Sequence, residues 1–274
     1  MSYDDFDLLR IAVADGIARA TIDHPPINLL DLELIVELDR FTQVVADDAE
    51  VRVVIIDSAD PEFFSAHADV TLIKALPTDD TGPHDEPGAF QVMVDRLRTM
   101  PKITIAVIGG IARGGGSELA LSCDLRFAAR GRAVLAQPEV GVGIIPGGGG
   151  TQRLPALVGR ARALEVICGC EDVDAETAER WGYVNRALPV DELGPFVDAL
   201  AARIASCPAD AVARAKVAVD AGLADPATGL LVEDQQFRST LANPEAASRM
   251  DGFLAAGGQT REVEREGFSV DDLG

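Results

Sequence analysis

Arg113-Gly114-Gly115-Gly116-Ser117-Glu118 is the stretch whose reading decides the fold. It follows the apolar run Ile103 to Ile108 and precedes an apolar helical pattern that begins at Glu118. An apolar run, then glycines, then a helical period reads as strand, turn, helix. Consecutive glycines carry no Cβ, so the main chain can turn sharply there and come close to a ligand. The first turn of the following helix has N–H groups with no intrahelical acceptor and the positive end of the helix behind them, which suits a negative oxygen. Glu118 lies one helical turn past Gly115, so its carboxylate shares the face that Gly115 opens. A main-chain oxyanion site beside a carboxylate is a unit for proton transfer on a carbonyl compound.

On the N-terminal side of this stretch, strands alternate with helices. Leu8 to Val13 and Ile17 to Ile22 flank Ala14-Asp15-Gly16, a hairpin signal. Asp31 stands before Leu34, Ile35, Leu38, Phe41, Val44 and Val45, which follow helical spacing with Asp31 as N-cap. Val51 to Ile56 is a β-branched, buried strand. Phe63 to Asp69 reads as a loop entering a helix, Pro77 to Pro87 as a surface loop, and Ala89 to Met100 as a helix stopped by Pro101. On the C-terminal side, Leu125 to Ala128 and Ala133 to Leu135 are short strands, Tyr183-Val184 is a short apolar piece, and Thr151 opens a helix signal. From about Arg160 the chain is mainly helical: Ala161 to Ile167, Ala175 to Trp181, Asp191 to Ser206, Ala209 to Ala221, Gly229 to Leu241 and Pro244 to Ala256. The acidic tail, Gly257 to Gly274, is expected to be poorly ordered or docked on another subunit.

The 274 residues are enough for a sizeable core, and the formal charge of −21 argues against nucleic acid and against an anionic membrane surface as partners. Cys123, Cys168, Cys170 and Cys207 form no C-x-x-C pair, and with three scattered histidines there is no zinc pattern, so no metal is expected and the thiols read as reduced. The acidic N-terminus has no signal-peptide pattern and no apolar stretch reaches the roughly 18 residues of a membrane span. A cytoplasmic protein is expected.

Other chemistries fail on residues. Gly147 to Thr151 lacks the Gly-Lys-Ser/Thr ending of a Walker loop, and Pro146 interrupts a dinucleotide fingerprint that Gly141 and Gly143 would start. Gly115-Gly116-Ser117 begins like a nucleophile elbow, but Leu119 stands where the last glycine belongs, so Ser117 reads as an N-cap rather than a nucleophile. Glu118 and Glu139 remain. Taken alone, the first reads as a helix-dipole residue and the second as a solvated loop residue after Gln137-Pro138.

At these residues the chain resembles the crotonase, or enoyl-CoA hydratase/isomerase, superfamily. The resemblance is carried by Phe64-Ser65-Ala66-His67-Ala68-Asp69, by Pro101 to Gly109 with Gly114 to Ala120 and Cys123-Asp124, by Gln137-Pro138-Glu139 with Gly143 to Gly147 and Gly149 to Leu154, and by Ala178 to Arg186. It implies an α/β fold, a spiral of ββα repeats over residues 1–200, with a C-terminal helical region, 201–274, that joins trimers or hexamers. It implies an acyl-CoA ligand, with CoA part of the substrate and no separate cofactor. The family's two oxyanion donors map to the main-chain N–H groups of Ala68 and Gly115, and its two catalytic glutamates to Glu118, chiefly on the water, and Glu139, chiefly at the α-carbon. Ala66, His67, Asp69, Val70, Gly114 and Gly147 fall at positions that contact the CoA thioester. The implied activity is hydration of a 2-enoyl-CoA; a Δ3-Δ2 enoyl-CoA isomerase or other crotonase-type lyase, and a non-catalytic acyl-CoA-binding paralogue, are the alternatives.

The sequence departs from the family pattern at three points. His67 replaces the usual glycine; the simple expectation is a ring facing outward, and the sharper one is a ring that narrows the acyl pocket or adds a polar group beside the thioester. Val70 is followed by Thr71, not by the family's frequent lysine. No basic C-terminal motif for the CoA phosphates is recognisable beyond Arg261 and Arg265, with Lys74, Arg96 and Arg98 as substitutes.

Overall fold

The computed structural model describes residues 3–78, 86–207, 209–220, 244–267 and, between the last two segments, residues 234, 237, 238 and 240–242. The N-terminal hairpin forms as expected: β1 (Leu9–Ala14) and β2 (Ile17–Ile22) are antiparallel, turning through Asp15 and Gly16, both with φ > 0. The helix α1 (Leu32–Asp47) begins where the Asp31 side chain accepts from the Leu34 N–H. Its Leu34, Leu38, Phe41 and Val45 are fully buried.

From there the chain winds in coils, each placing one strand in each of two sheets. β3 (Val53–Ser58), β5 (Ile103–Ile108) and β7 (Leu125–Ala129) extend the first sheet in parallel, and β10 (Arg186–Leu188) closes it, in the order β1-β2-β3-β5-β7-β10. β4 (Phe63–Ser65), β6 (Ile111–Arg113), β8 (Val134–Ala136) and β9 (Val173–Asp174) form the second, with β9 antiparallel to β8. Of the three-residue strands of this second sheet, β8 was expected within one residue as Ala133 to Leu135, whereas Phe63 to Ser65 read as part of a loop and Ile111 to Arg113 was assigned no strand. β10 lies just beyond the apolar Tyr183-Val184 piece. One irregularity matters below: Phe63 pairs with Ile111 but Ser65 with Ala112, so β4 carries one extra residue against β6.

The helices α2 (Val70–Lys74), α3 (Ala89–Thr99), α4 (Gly115–Ser122), α5 (Gly150–Val158), α6 (Arg160–Gly169) and α7 (Ala175–Trp181) connect or follow the coils. α8 (Val190–Ala205) runs through residue 200 with Leu193, Val197, Ala201 and Ala205 buried in the main core. α9 (Ala209–Asp220) is pinned by Lys216, whose ammonium donates to Asp124 Oδ2 at 2.7 Å and to the Lys102 carbonyl at 2.9 Å. α10 (Pro244–Ala255) sets Ala246, Met250 and Phe253 against Val70, Val142 and Ile144 in a second apolar cluster. The tail expectation needs correction: residues 261–266 form a short helix, α11 (Arg261–Glu266), docked on its own chain. Most of Gly229 to Leu241, part of Pro77 to Pro87, and residues 268–274 lie outside the described residues.

Candidate active site

The sequence stretch that opened the reading becomes the end of β6, a turn at Gly114 and the start of α4. Gly114, at φ +48° and ψ −125°, occupies a region that side-chain-bearing residues avoid, and its N–H donates to the Ala136 carbonyl on β8. Gly114 is the N-cap, so the expectation for Ser117 is corrected: it lies inside the first turn, fully buried, its hydroxyl 2.6 Å from that of Tyr183. Burial pushes the Tyr183 hydroxyl well up, and the Glu139 and Glu118 carboxylates add to this, so it stays protonated beside Ser117.

Glu118 is buried, and its Oε1 accepts from two main-chain donors, Gly148 N at 2.7 Å and Gly150 N at 2.9 Å. The glycine-rich turn is thus a brace for Glu118, not a phosphate loop. Arg153 steadies that brace, donating to the Gly148 carbonyl at 2.9 Å and pairing with Asp95 on α3 at 3.1 Å.

Ala68 and Gly115 are brought together by strand register. Ser65 pairs with Ala112, so three residues on, Ala68 comes level with Gly115. Ala68 also bridges Leu30 in parallel: Leu30 N donates to the His67 carbonyl and Asp69 N donates to the Leu30 carbonyl, both at 2.9 Å. In such a bridge the N–H of the middle residue points the other way. The Ala68 N–H therefore turns from Leu30 toward Gly115, where a methyl group placed on Gly115 would sit 3.2 Å from the Ala68 nitrogen. Gly115 is the first helical residue, and its own N–H has no acceptor within the helix.

Glu139 follows β8 on the next coil and opens a 3₁₀ helix, Glu139–Val142. It is half-buried, not a solvated loop residue, and its Oε1 lies 3.0 Å from where a Gly114 side chain would begin. Ala68, Gly115, Glu118 and Glu139 all face one cavity of about 440 Å³, walled also by Ile144 and Gly147. Val70 and Gly114 face a smaller apolar pocket of about 50 Å³ beside it. Ala66 does not reach either: it is fully buried with Ile27, Phe63 and Ile111, its N–H donating to Ile27 O and its carbonyl accepting from Arg113 N. Asp69 caps α2, accepting from Thr71 N at 2.7 Å.

His67 departs from the simple expectation. Its ring is turned inward, 8% exposed, on the wall of the smaller pocket. Nε2 lies 2.6 Å from Glu264 Oε1 on α11, and the ring meets Phe253 edge-on at 5.5 Å. Burial alone would lower the His67 pKa, but the hydrogen bond and charge of Glu264 raise it above the ordinary value; burial would raise Glu264, and His67 with Arg113 brings it below. Sequence reasoning missed Glu264 and Arg113. Nothing local marks a glutamate in an acidic tail as the partner of a histidine 197 positions away.

The basic residues considered for CoA phosphates are each paired with carboxylates: Lys74 with Asp251, Arg96 with Asp39, Arg98 with Asp95 and Asp220, Arg261 with Asp60 and Glu62, Arg265 with Glu62. Among the described residues no group of three or more His, Cys, Asp or Glu is placed to hold a metal ion, and no helix is long and apolar enough to cross a membrane.

The enoyl-CoA hydratase/isomerase family model matches residues 12–258. The chain belongs to the enoyl-CoA hydratase/isomerase family, the crotonases. Like other crotonases it is an enzyme of that family by its relatives. It is 36% identical over 257 residues to crotonyl-CoA hydratase of Syntrophomonas wolfei, covering 93% of this chain and 96% of that one. It is 34% identical over 254 residues to short-chain-enoyl-CoA hydratase of Clostridium acetobutylicum, covering 90% and 93%. The crystal structure of a candidate enoyl-CoA hydratase from Streptomyces avermitilis is 40% identical and superposes with a TM-score of 0.87 over 95% of this crotonase and 96% of that chain. The coiled two-sheet architecture is the crotonase fold.

Proposed function

We propose that this crotonase hydrates 2-enoyl-CoA thioesters. The observation that carries the reading is that two carboxylates, Glu118 and Glu139, face the same cavity as the Ala68 and Gly115 main-chain donors. The thioester oxygen sits between those two N–H groups. Water held between the glutamates attacks the β-carbon; Glu118 takes its proton, and electrons move through the double bond onto the thioester oxygen. The two amides hold the enolate oxygen, each donor lowering the barrier by about 3 kcal/mol. Glu139, protonated at the outset, gives its proton to the α-carbon, and the proton held by Glu118 then passes to Glu139, so that the elements of one water are added across the double bond. The isomerase reaction needs one proton shuttle, and a second carboxylate oriented by two amide donors favours hydration.

The names of the two relatives make crotonyl-CoA the first substrate to try. Loss of the conjugated enoyl-thioester absorbance on adding the protein is the expected result. No loss with any 2-enoyl-CoA, together with a gain of conjugation from a 3-enoyl-CoA, would replace hydration by isomerisation.

A further inference from the structure

Three residues that flank the two amide donors are tied to one short C-terminal segment. His67, just before Ala68, meets Glu264 at 2.6 Å. Asp69, just after Ala68, accepts from Gln259 Nε2 at 2.8 Å, and Gln259 N donates to the same Glu264 Oε1 at 2.8 Å. Arg113, at the end of β6 before the Gly114 turn, donates to the Glu264 carbonyl at 2.6 Å while its guanidinium grips Asp172 in two bonds of 2.8 and 2.7 Å. Glu264 is 2% exposed and Arg113 3%. Two main-chain bonds to Leu30 hold the other side of the Ala68 segment. A glycine at position 67 would remove the ring that Glu264 holds.

We propose that Glu264 and His67 act as a positioning pair, through which docking of α11 sets the direction of the Ala68 N–H donor. The ring nitrogen Nε2 is taken by Glu264, and the pair acts through the peptide that joins His67 to Ala68. This rests on the oxyanion role given to Ala68 above. The groups facing the His67 ring are Glu264 and Gln259 on the C-terminal segment, Arg113 with its partner Asp172, Glu139 across Gly114, Asp69 on its own loop, and the apolar Phe253. A misdirected donor is felt in the transition state and little in substrate binding, and displacements of about 1 Å can cost on the order of 100-fold in rate.

The test is steady-state hydration of crotonyl-CoA by the full chain, with thermal denaturation alongside, for Glu264→Gln, Glu264→Ala, His67→Gly and the His67→Gly/Glu264→Ala double variant. Glu264→Ala should lower kcat by about 10-fold or more with KM within about twofold, on the scale of a misplaced donor. Glu264→Gln, whose amide oxygen still accepts from Nε2, should keep most of kcat at a pH low enough for His67 to be protonated in both proteins. Adding Glu264→Ala to His67→Gly should change kcat by less than about twofold, because the coupled partner is gone. The wild-type kcat should fall as pH rises through the raised His67 value, and Glu264→Gln should move that fall to lower pH. Wild-type kcat in Glu264→Ala with only a lowered Tm, or an equal loss in both backgrounds, overturns the pairing. Should Glu264→Ala not fold, coincident pH profiles for wild type and Glu264→Gln overturn it instead. Glu118→Gln and Glu139→Gln separate the two levels: if they are inactive while Glu264→Ala is silent, the pairing alone fails; if both match wild type, the reading of the site fails.

Discussion

Glu118 and Glu139 reach one cavity by different routes. Glu118 is held by the N–H groups of Gly148 and Gly150, and Glu139 by its place on a 3₁₀ turn over Gly114. Replacing either by Gln keeps the shape and removes the proton exchange, so each variant should lose about 10²- to 10⁴-fold in kcat with a near-normal KM in crotonyl-CoA kinetics. Gly148→Ala tests the brace: its methyl would stand 2.6 Å from Glu118 Oε2 and 2.3 Å from the Phe90 ring, so both must move, and kcat should fall without loss of fold by circular dichroism. At this scale the face that Glu118 shares with Gly115 was legible from three glycines and a helix start, although the residue taken alone read as a helix-dipole glutamate. The place of Glu139 on the same cavity was legible only through the family pattern, because it depends on a coil that no local period reveals. The His67 ring was misread because its partner is remote in sequence and its burial comes from helices packed later in the chain.

Among elements, those with a cap, a period or an apolar run were legible, and three short strands were not. α1 announces itself by cap and period, as Asp31 shows, and α7 by its period, with the Asp174 cap found in the structure. β4, β6 and β10 have three residues each, which is less than any period can establish, and exist because a neighbouring coil supplies their hydrogen bonds. The Gly114 turn is strained for any side chain by its φ of +48°. Gly114→Ala should cost about 1–3 kcal/mol from the backbone conformation alone, read as a drop in denaturation midpoint, and should reduce activity because Glu139 lies 3.0 Å away. Docking of α11 should depend on pH with a definite sign. His67 has a raised value, so its contribution is full below the ordinary histidine pKa of 6.5 and is lost as pH rises through the raised value. Glu264 has a lowered value, so its contribution is present above the ordinary 4.5 and is lost as pH falls through the lowered value. Stability relative to Glu264→Gln should therefore be greatest between about pH 4.5 and 6.5 and shrink on both sides, measured by chemical denaturation.

For the whole molecule, assembly is the open expectation. Val217 and Val219 on α9 are 68% and 71% exposed in the single chain, unusual for valines on a helix that is otherwise pinned to the core through Lys216. A trimer or hexamer should show three or six times the chain mass of 28.9 kDa in light scattering, and Val217→Asp should shift it toward the single-chain value. The coiled path also explains how parts 71 residues apart in sequence, Ala68 and Glu139, meet without a dedicated scaffold: each successive coil delivers its contribution to the same end of the short sheet. The supernumerary residue of β4 fixes the phase of that delivery. Were the pairing of Phe63 with Ile111 continued without it, residue 67 and not 68 would arrive opposite Gly115. An imidazole-bearing position would then occupy the donor's post, and the alanine amide would be turned back into the Leu30 bridge. Inserting a single amino acid between Ser65 and Ala66 would produce that shift, and is thus expected to silence the enzyme with all its reacting groups still in the chain.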